Sequence, residues 1–211
     1  MIVVLVGRKR SGKDTVGERL CKEHGFKKIS FAGPIKETAR TLFGWEPDKE
    51  DDRHLPTEYG CTKREFLQWF GTEAMREGFP RFSKGFREKV GKDIWIDIAI
   101  NKMKQGGDWV ITDCRFINEA EKIRDYFGHD VVRIVKVERG DQTQGFWDKV
   151  KTWLVRHTPL RFNGAQFHPS EVEVDLIEYD VCIKNDLDLP SLYNRLYFVV
   201  QNWIKAGVLD A

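Results

Sequence analysis

The chain has 211 residues, enough for one ordinary domain with a sizeable core and an insertion, and short for two full domains. Hydrophobic residues make up 41% and charged residues 32%, a balance that excludes a collagen, a coiled coil and a disordered tail. Lys and Arg number 35 against 33 Asp and Glu, a net charge of +2, so no global field draws the protein onto nucleic acid or a membrane and any anion site must be local.

The first apolar run, Ile2–Val6, reads as a buried strand. It breaks at Gly7 and meets Arg8, Lys9 and Arg10, too short for a signal-peptide core of ~7–15 residues or a membrane span of ~20, so a cytoplasmic location is expected. Val16 and Leu20 then share a helix face, and residues 28–31 form a second short strand. Helical spacing returns at Ile35, Ala39 and Leu42, at Phe66, Phe70 and Ala74, and at Ile96, Ile100 and Met103. Strands at 109–112, 131–137 and 180–183 alternate with helices carrying Ile117, Ala120 and Ile123, and Leu192, Leu196, Val199 and Trp203. Alternation of this kind predicts an α/β fold, a doubly wound five-stranded parallel sheet with ligands at the carboxyl ends of its strands. Cys21, Cys61, Cys114 and Cys182 lie far apart, without a C-x-x-C pair or a His at ligand spacing, which favours reduced thiols over a disulfide framework or a zinc site.

Gly7-Arg-Lys-Arg-Ser-Gly12-Lys13 fits G-x-x-x-x-G-K after a strand and before an amphipathic helix, the context that makes the pattern a phosphate cradle. Glycines let the backbone wrap phosphates with N–H groups, the helix N-terminus adds its positive end, and Lys13 reaches the terminal phosphates as a point charge. Gly7, Arg10, Ser11, Gly12, Lys13, Asp14 and Thr15 are therefore the candidate donor-nucleotide residues. Asp14 stands where a hydroxyl usually binds Mg2+; its carboxylate would hold a hydrated Mg2+ or merely complement the helix dipole. Asp113, delivered to the sheet edge by the third strand, is either a second acid near Mg2+ or a cap for the helix starting near Ile117. Arg115 and Asn118 leave the same edge as substrate contacts or as a surface ion pair.

Two segments carry surplus positive charge. Between residues 60 and 92, eight Lys and Arg, including Arg64 and Arg76, face four Glu and interleave with Phe66, Trp69, Phe70, Phe79, Phe82 and Phe86. Base stacking with phosphate neutralisation needs that mixture, and so does a helix with an apolar face and a basic solvated one; Trp95 is likewise core or base-stacking. Residues 139–167 interrupt the alternation as a basic flap holding Trp147 and Trp153, with Arg139 at its mouth and Arg156 or Arg161 as the arginine that would close over a transferring group. Residues 46–56 read as a solvated acidic loop, and His168 as a hinge or cap neighbour.

Taken together, residues 7 to 15, Phe31-Ala-Gly-Pro-Ile-Lys36, Leu67-Gln-Trp-Phe-Gly-Thr-Glu-Ala-Met-Arg76, Ile94-Trp-Ile-Asp97, Ile111-Thr-Asp-Cys-Arg-Phe-Ile-Asn-Glu-Ala120, His168-Pro-Ser-Glu171 and Ile183-Lys-Asn-Asp186 resemble the bacteriophage-type deoxynucleoside monophosphate kinases, a branch of the P-loop kinases. The resemblance spans nearly the whole chain. It implies a single P-loop kinase domain over 1–211 with a three-layer, adenylate-kinase-like core, an acceptor-binding segment at about 34–106 and a lid at about 139–167. Further implications are an ATP donor, Mg2+, and a deoxynucleoside 5′-monophosphate acceptor touched by Lys36, Gln68, Arg76 and Arg115, with Asn185 on the donor nucleotide. Neither nucleic acid nor membrane is an expected partner, and a homodimer is left open. The rivals are another small-molecule kinase resembling phosphomevalonate kinase, whose loop also tolerates Lys followed by Asp, and a nucleotide-gated binding module that transfers nothing.

Overall fold

Five aliphatic residues in succession leave the first strand no polar face, and in the computed structural model Ile2–Val6 (β1) is buried along its whole length. The structure describes residues 1–47, 54, 56–139 and 173–210. The strand β1 lies at the centre of a five-stranded, wholly parallel sheet with β2 (Lys27–Ile29), β3 (Trp109–Cys114), β4 (Val132–Arg139) and β5 (Val181–Asn185), in the order β2-β3-β1-β4-β5. Chain order also gives helices α1 (Lys13–His24), α2 (Gly33–Phe43), α3 (Lys63–Gln68), a π-helix (Trp69–Gly78), α4 (Phe79–Phe82), α5 (Lys84–Lys89), α6 (Ile94–Met103), α7 (Ile117–Phe127) and α8 (Leu189–Lys205).

The expected strands fall on these with shifted ends. The chain leaves β2 after Ile29 and turns, Gly33 N–H donating to Ser30 O at 3.2 Å, so Phe31 belongs to the turn. Strands β3 and β4 each run two residues further than their apolar runs, because parallel pairing continues past the last apolar residue: Val6 of β1 pairs with Cys114, and Arg139 of β4 with Asn185. Asp113 and Arg139 thus sit within strands at the carboxyl edge.

The described chain divides into two compact units, Met1–Ile29 with Gly106–Ala211, and Ser30–Gln105. In the first, Val16 and Leu20 of α1 and Leu192, Leu196, Val200 and Trp203 of α8 join Val3, Leu5, Val135, Val137 and Ile183 in one core. Burial of each such aliphatic side chain contributes about 1.5–3 kcal/mol. Leu5 is fully buried, so Leu5→Ala is expected to lower the unfolding free energy by about 2–5 kcal/mol in a urea titration; a loss under 1 kcal/mol would show that this core collapses around the void.

In the second unit, α6 buries Ile94, Trp95, Ile96, Ala99, Ile100 and Met103. A capping box starts α3: Thr62 accepts from Glu65 N–H at 3.1 Å while Glu65 accepts from Thr62 N–H at 2.8 Å. These hydrogen bonds to Thr62, through its backbone N–H and its hydroxyl, hold the Glu65 carboxyl below its usual range. The helical face expected from Phe66, Phe70 and Ala74 crosses from α3 into the π-helix, with Phe66 and Phe70 stacked 5.7 Å apart. Among the described residues no helix is long and apolar enough to cross a membrane, and the four cysteines form no disulfide.

Candidate nucleotide site

Between β1 and α1 the chain must turn sharply while keeping its N–H groups available, and residues 7 to 12 do so with three left-handed or near-left-handed residues. Gly7 has φ +147° and Gly12 φ +104°; a Cβ at Gly7 would stand 2.3 Å from the Val137 carbonyl oxygen, and one at Gly12 2.6 Å from Asn185 Nδ2. Gly7 requires glycine by space, against backbone, as well as by φ, and Gly12 requires it by φ. Arg10 takes φ +64° without that freedom, a conformation costing about 1–2 kcal/mol that the surroundings must support. Arg139 Nη1 donates to Arg10 O at 3.2 Å, and Asn185 Nδ2 to Ser11 O at 2.9 Å.

Lys13 opens α1 and is buried, its ammonium donating to Gly7 O at 2.6 Å and Arg8 O at 2.8 Å, with Ser11 Oγ at 3.5 Å. This places a cation at the mouth of a helix whose first-turn N–H groups have no intrahelical acceptor, the arrangement that binds phosphate. A pocket of about 390 Å3 adjoins it, lined by Arg10, Ser11, Gly12, Lys13, Asp14, Thr15, Arg139 and Asn185 together with Leu187, Leu189 and Leu192. Its charged lining is Arg10, Lys13 and Arg139 against Asp14, a net positive set that shares the pocket with three leucines.

Every candidate donor-nucleotide residue of the motif except Gly7 lines this pocket, and Gly7 accepts from Lys13; Asp113, expected near Mg2+, is not among the lining residues. Asn185, expected on the nucleotide, holds the Ser11 carbonyl and so fixes the loop. Asp14 is exposed in the first turn of α1, 3.7 Å from Lys28 Nζ. Asp113 occupies the carboxyl end of β3, one residue before Cys114, the register partner of Val6 that precedes the loop. Buried Glu119, in the first turn of α7, accepts from Arg115 N–H at 2.9 Å and Phe116 N–H at 3.2 Å. Glu119 thereby fixes the turn that carries Arg115. Cys114 is sealed beneath this edge; burial, then the nearby Glu119 and Asp113 charges, push its thiol well above the ordinary range.

Lys36, Arg64, Gln68, Arg76 and Trp95 belong to the second unit, Arg115 and Asn118 to the first. Gln68 ends α3 and Arg76 sits in the π-helix, a hydrogen-bonding pattern that recurs at functional sites. Trp95 takes the core half of its two readings: it is 4% exposed, and its indole N–H donates to Gly71 O at 2.8 Å, which anchors the π-helix to α6. A buried ring with its one polar atom engaged has no face to stack on a base. Arg156, Arg161 and His168, with Trp147 and Trp153, lie outside the described residues; of the expected lid only Arg139 is described.

The leucines at 187 and 189 were not marked as site residues by sequence reasoning, yet they are 68% and 50% exposed beside the loop. Two leucines flanking an acid in Asn185-Asp-Leu-Asp-Leu, immediately after a strand, were the available signal. Arg8 and Asp175 are a second omission: Arg8 Nε and Nη2 donate to Asp175 Oδ2 at 2.9 and 2.6 Å.

Comparison with known proteins gives a consistent set of likenesses. The family model for deoxynucleotide monophosphate kinase matches residues 1–77. A protein of Acanthamoeba polyphaga mimivirus carrying the provisional name deoxynucleotide monophosphate kinase is 28% identical over 216 residues, spanning 96% of this chain and 97% of that protein. Among solved structures, the dephospho-CoA kinase of Campylobacter jejuni matches at 13% identity with TM-score 0.45, over 98% of this chain and all of that one. The shikimate kinase of Aquifex aeolicus matches at 13% identity with TM-score 0.46, over 99% of both chains. The resemblance read from the motifs is therefore found again by comparison of whole sequences, and the wholly parallel five-stranded sheet with its helices is the α/β fold that the alternation of strands and helices predicts.

Proposed function

We propose that the protein transfers the γ-phosphoryl group of ATP to a deoxynucleoside 5′-monophosphate, giving two diphosphates. The observation that carries this reading is the pocket itself: its lining joins the loop and Lys13, which suit phosphates, to the aliphatic side chains of Leu187, Leu189 and Leu192, which suit a base. The full-length likeness to the mimivirus protein supports the monophosphate acceptor.

An acceptor phosphate has its second pKa near ~6 and is dianionic at neutral pH, so its oxygen attacks without a general base. What the enzyme must supply is alignment and countercharge for two polyanions. Lys13 and the first-turn N–H groups of α1 hold the donor phosphates; Arg139, beside Arg10, neutralises charge at the transferring group; Lys36, Arg64, Gln68, Arg76, Arg115 and Asn118 hold the acceptor. Asp14 and Asp113 would supply the carboxylate oxygens that Mg2+ prefers. Bound there, Mg2+ would neutralise charge on the donor phosphates. The location expected for such an enzyme is the cytoplasm.

The deciding measurement is ADP release in a coupled assay with ATP and each of the four deoxynucleoside monophosphates. Turnover with at least one of them, and none with phosphomevalonate, is expected; ATP binding without turnover on any would leave the binding-module reading standing instead. Arg76→Ala and Arg115→Ala should each raise the KM for the monophosphate roughly 10- to 100-fold, the worth of a charge-assisted contact, with little change for ATP. Equal effects on the two substrates would refute this division of labour.

A further inference from the structure

The phosphate loop is held in a costly shape by contacts from outside it, and one of these comes from a residue that neither the motif nor the mechanism uses. Asp175 accepts from Arg8 through two nitrogens, Nε at 2.9 Å and Nη2 at 2.6 Å, and its other oxygen lies 3.8 Å from Lys136 Nζ. The three side chains are 28%, 13% and 14% exposed for Arg8, Asp175 and Lys136, so this triad is largely shielded from water and from salt. Lys136 is the β4 register partner of Val6, the last residue of β1 before the loop begins. One carboxylate therefore ties the second residue of the loop to the strand beside its root.

The carboxylate is itself firmly placed. Val174 and Ile177, on either side of it in sequence, are 1% and 4% exposed, and Leu176 N–H closes the turn onto Glu173 O at 2.9 Å. From Arg8 the constraint passes to the catalytic lysine by way of the backbone, since Arg8 O accepts from both Lys13 Nζ at 2.8 Å and Ser11 N–H at 3.2 Å. Without the tether, the carbonyls that orient Lys13 would lie on a chain free to leave the φ values of +147°, +64° and +104° at residues 7, 10 and 12.

We propose that Asp175 is a positioning residue for donor-nucleotide binding, acting through Arg8 to hold the phosphate loop and Lys13 in their binding geometry; this rests on the reading of residues 7 to 15 as a phosphate loop. The opposite role is physically distinct: a carboxylate that kept Arg8 from the phosphates would weaken binding, and removing it would tighten the complex. The sign of the effect therefore separates the two.

The test is the dissociation constant of a fluorescent ATP analogue, with steady-state KM values for both substrates, in the full chain. Asp175→Asn and Arg8→Ala should each weaken the analogue about tenfold, the worth of one charge-assisted hydrogen bond, and raise the KM for ATP but not for the monophosphate. The double variant should be no weaker than either single one, and Asp175→Glu should recover part of the affinity. A merely structural role would lower the melting temperature and leave the ratio of the two KM values unchanged, which would overturn the proposal, as would wild-type or tighter binding in Asp175→Asn. If Asp175→Asn does not fold, Arg8→Lys keeps the charge and loses the two-nitrogen grip, and unchanged affinity there overturns the proposal equally. Lys13→Ala is the control: nucleotide affinity unchanged there refutes the phosphate-loop reading, whereas affinity lowered there but unchanged in Asp175→Asn refutes only the role of Asp175.

Discussion

Replacing Lys13 by Ala is expected to remove phosphoryl transfer to the limit of detection, a fall in kcat/KM of at least about 10³, while the fold persists. Loss of one preorganised donor to developing charge costs about 10²–10³ in rate, and Lys13 adds a full charge to that donor and three contacts inside the loop. Those contacts also predict a secondary effect, since the variant leaves Gly7 O and Arg8 O without the ammonium and should lose part of its donor affinity along with its rate. Circular dichroism and thermal melting check the fold, because the buried aliphatic face of α1, Val16 and Leu20, is untouched. Unfolding of the variant would mean that Lys13 acts chiefly as a structural strut.

The second large effect is expected at Asp113. Asp113→Asn keeps size and hydrogen-bonding capacity at the end of β3 and removes one charge, so it isolates the carboxylate's part in binding Mg2+. kcat is expected to fall about 10²-fold and the Mg2+ concentration for half-maximal rate to rise, each read from a Mg2+ titration at saturating nucleotide. Full activity at low Mg2+ would take Asp113 out of the metal shell. The reading of Asp113 as a cap for α7 would then stand.

What was legible in the sequence was periodic or contiguous. Ile2–Val6 has no polar residue, and Gly7 to Thr15 follows it without a gap, so strand, loop and helix could be placed from neighbours alone. Core faces at Val16 and Leu20, or Leu192 and Leu196, were visible for the same reason, one residue per turn on one side. Strand ends were displaced because pairing in a parallel sheet continues past the apolar run: Asp113, read as the end of the third strand, is followed in it by Cys114, and Arg139, read at the mouth of the fourth, is its last residue. The π-helix was hidden because its sequence has ordinary helical spacing, and what accompanies the wider turn is a side chain 24 positions away, the Trp95 indole on Gly71 O. Arg8 and Asp175 are separated by 167 residues, and nothing local distinguishes that aspartate from any other acid in a polar stretch. The resemblance supplied Asn185, but only geometry shows that its amide engages the loop backbone.

The position of β1 in the sheet has a consequence for how the protein is made. The strand occupies residues 2 to 6, yet the two strands that flank it begin at Trp109 and Val132. At roughly 5–20 residues per second, a ribosome needs on the order of 5–20 seconds after finishing β1 to produce the first of its partners. Throughout that interval a short segment of pure aliphatic, β-forming sequence has no lattice of hydrogen bonds to join, and both of its edges are open to pairing with another nascent chain. Contacts that span more than a hundred residues also make the search for the native sheet slow once the chain is released. The strand at the centre of the finished sheet is therefore an aggregation-prone stretch during synthesis, and Arg8, Lys9 and Arg10, placed immediately after it, set charge beside it as gatekeeper residues do.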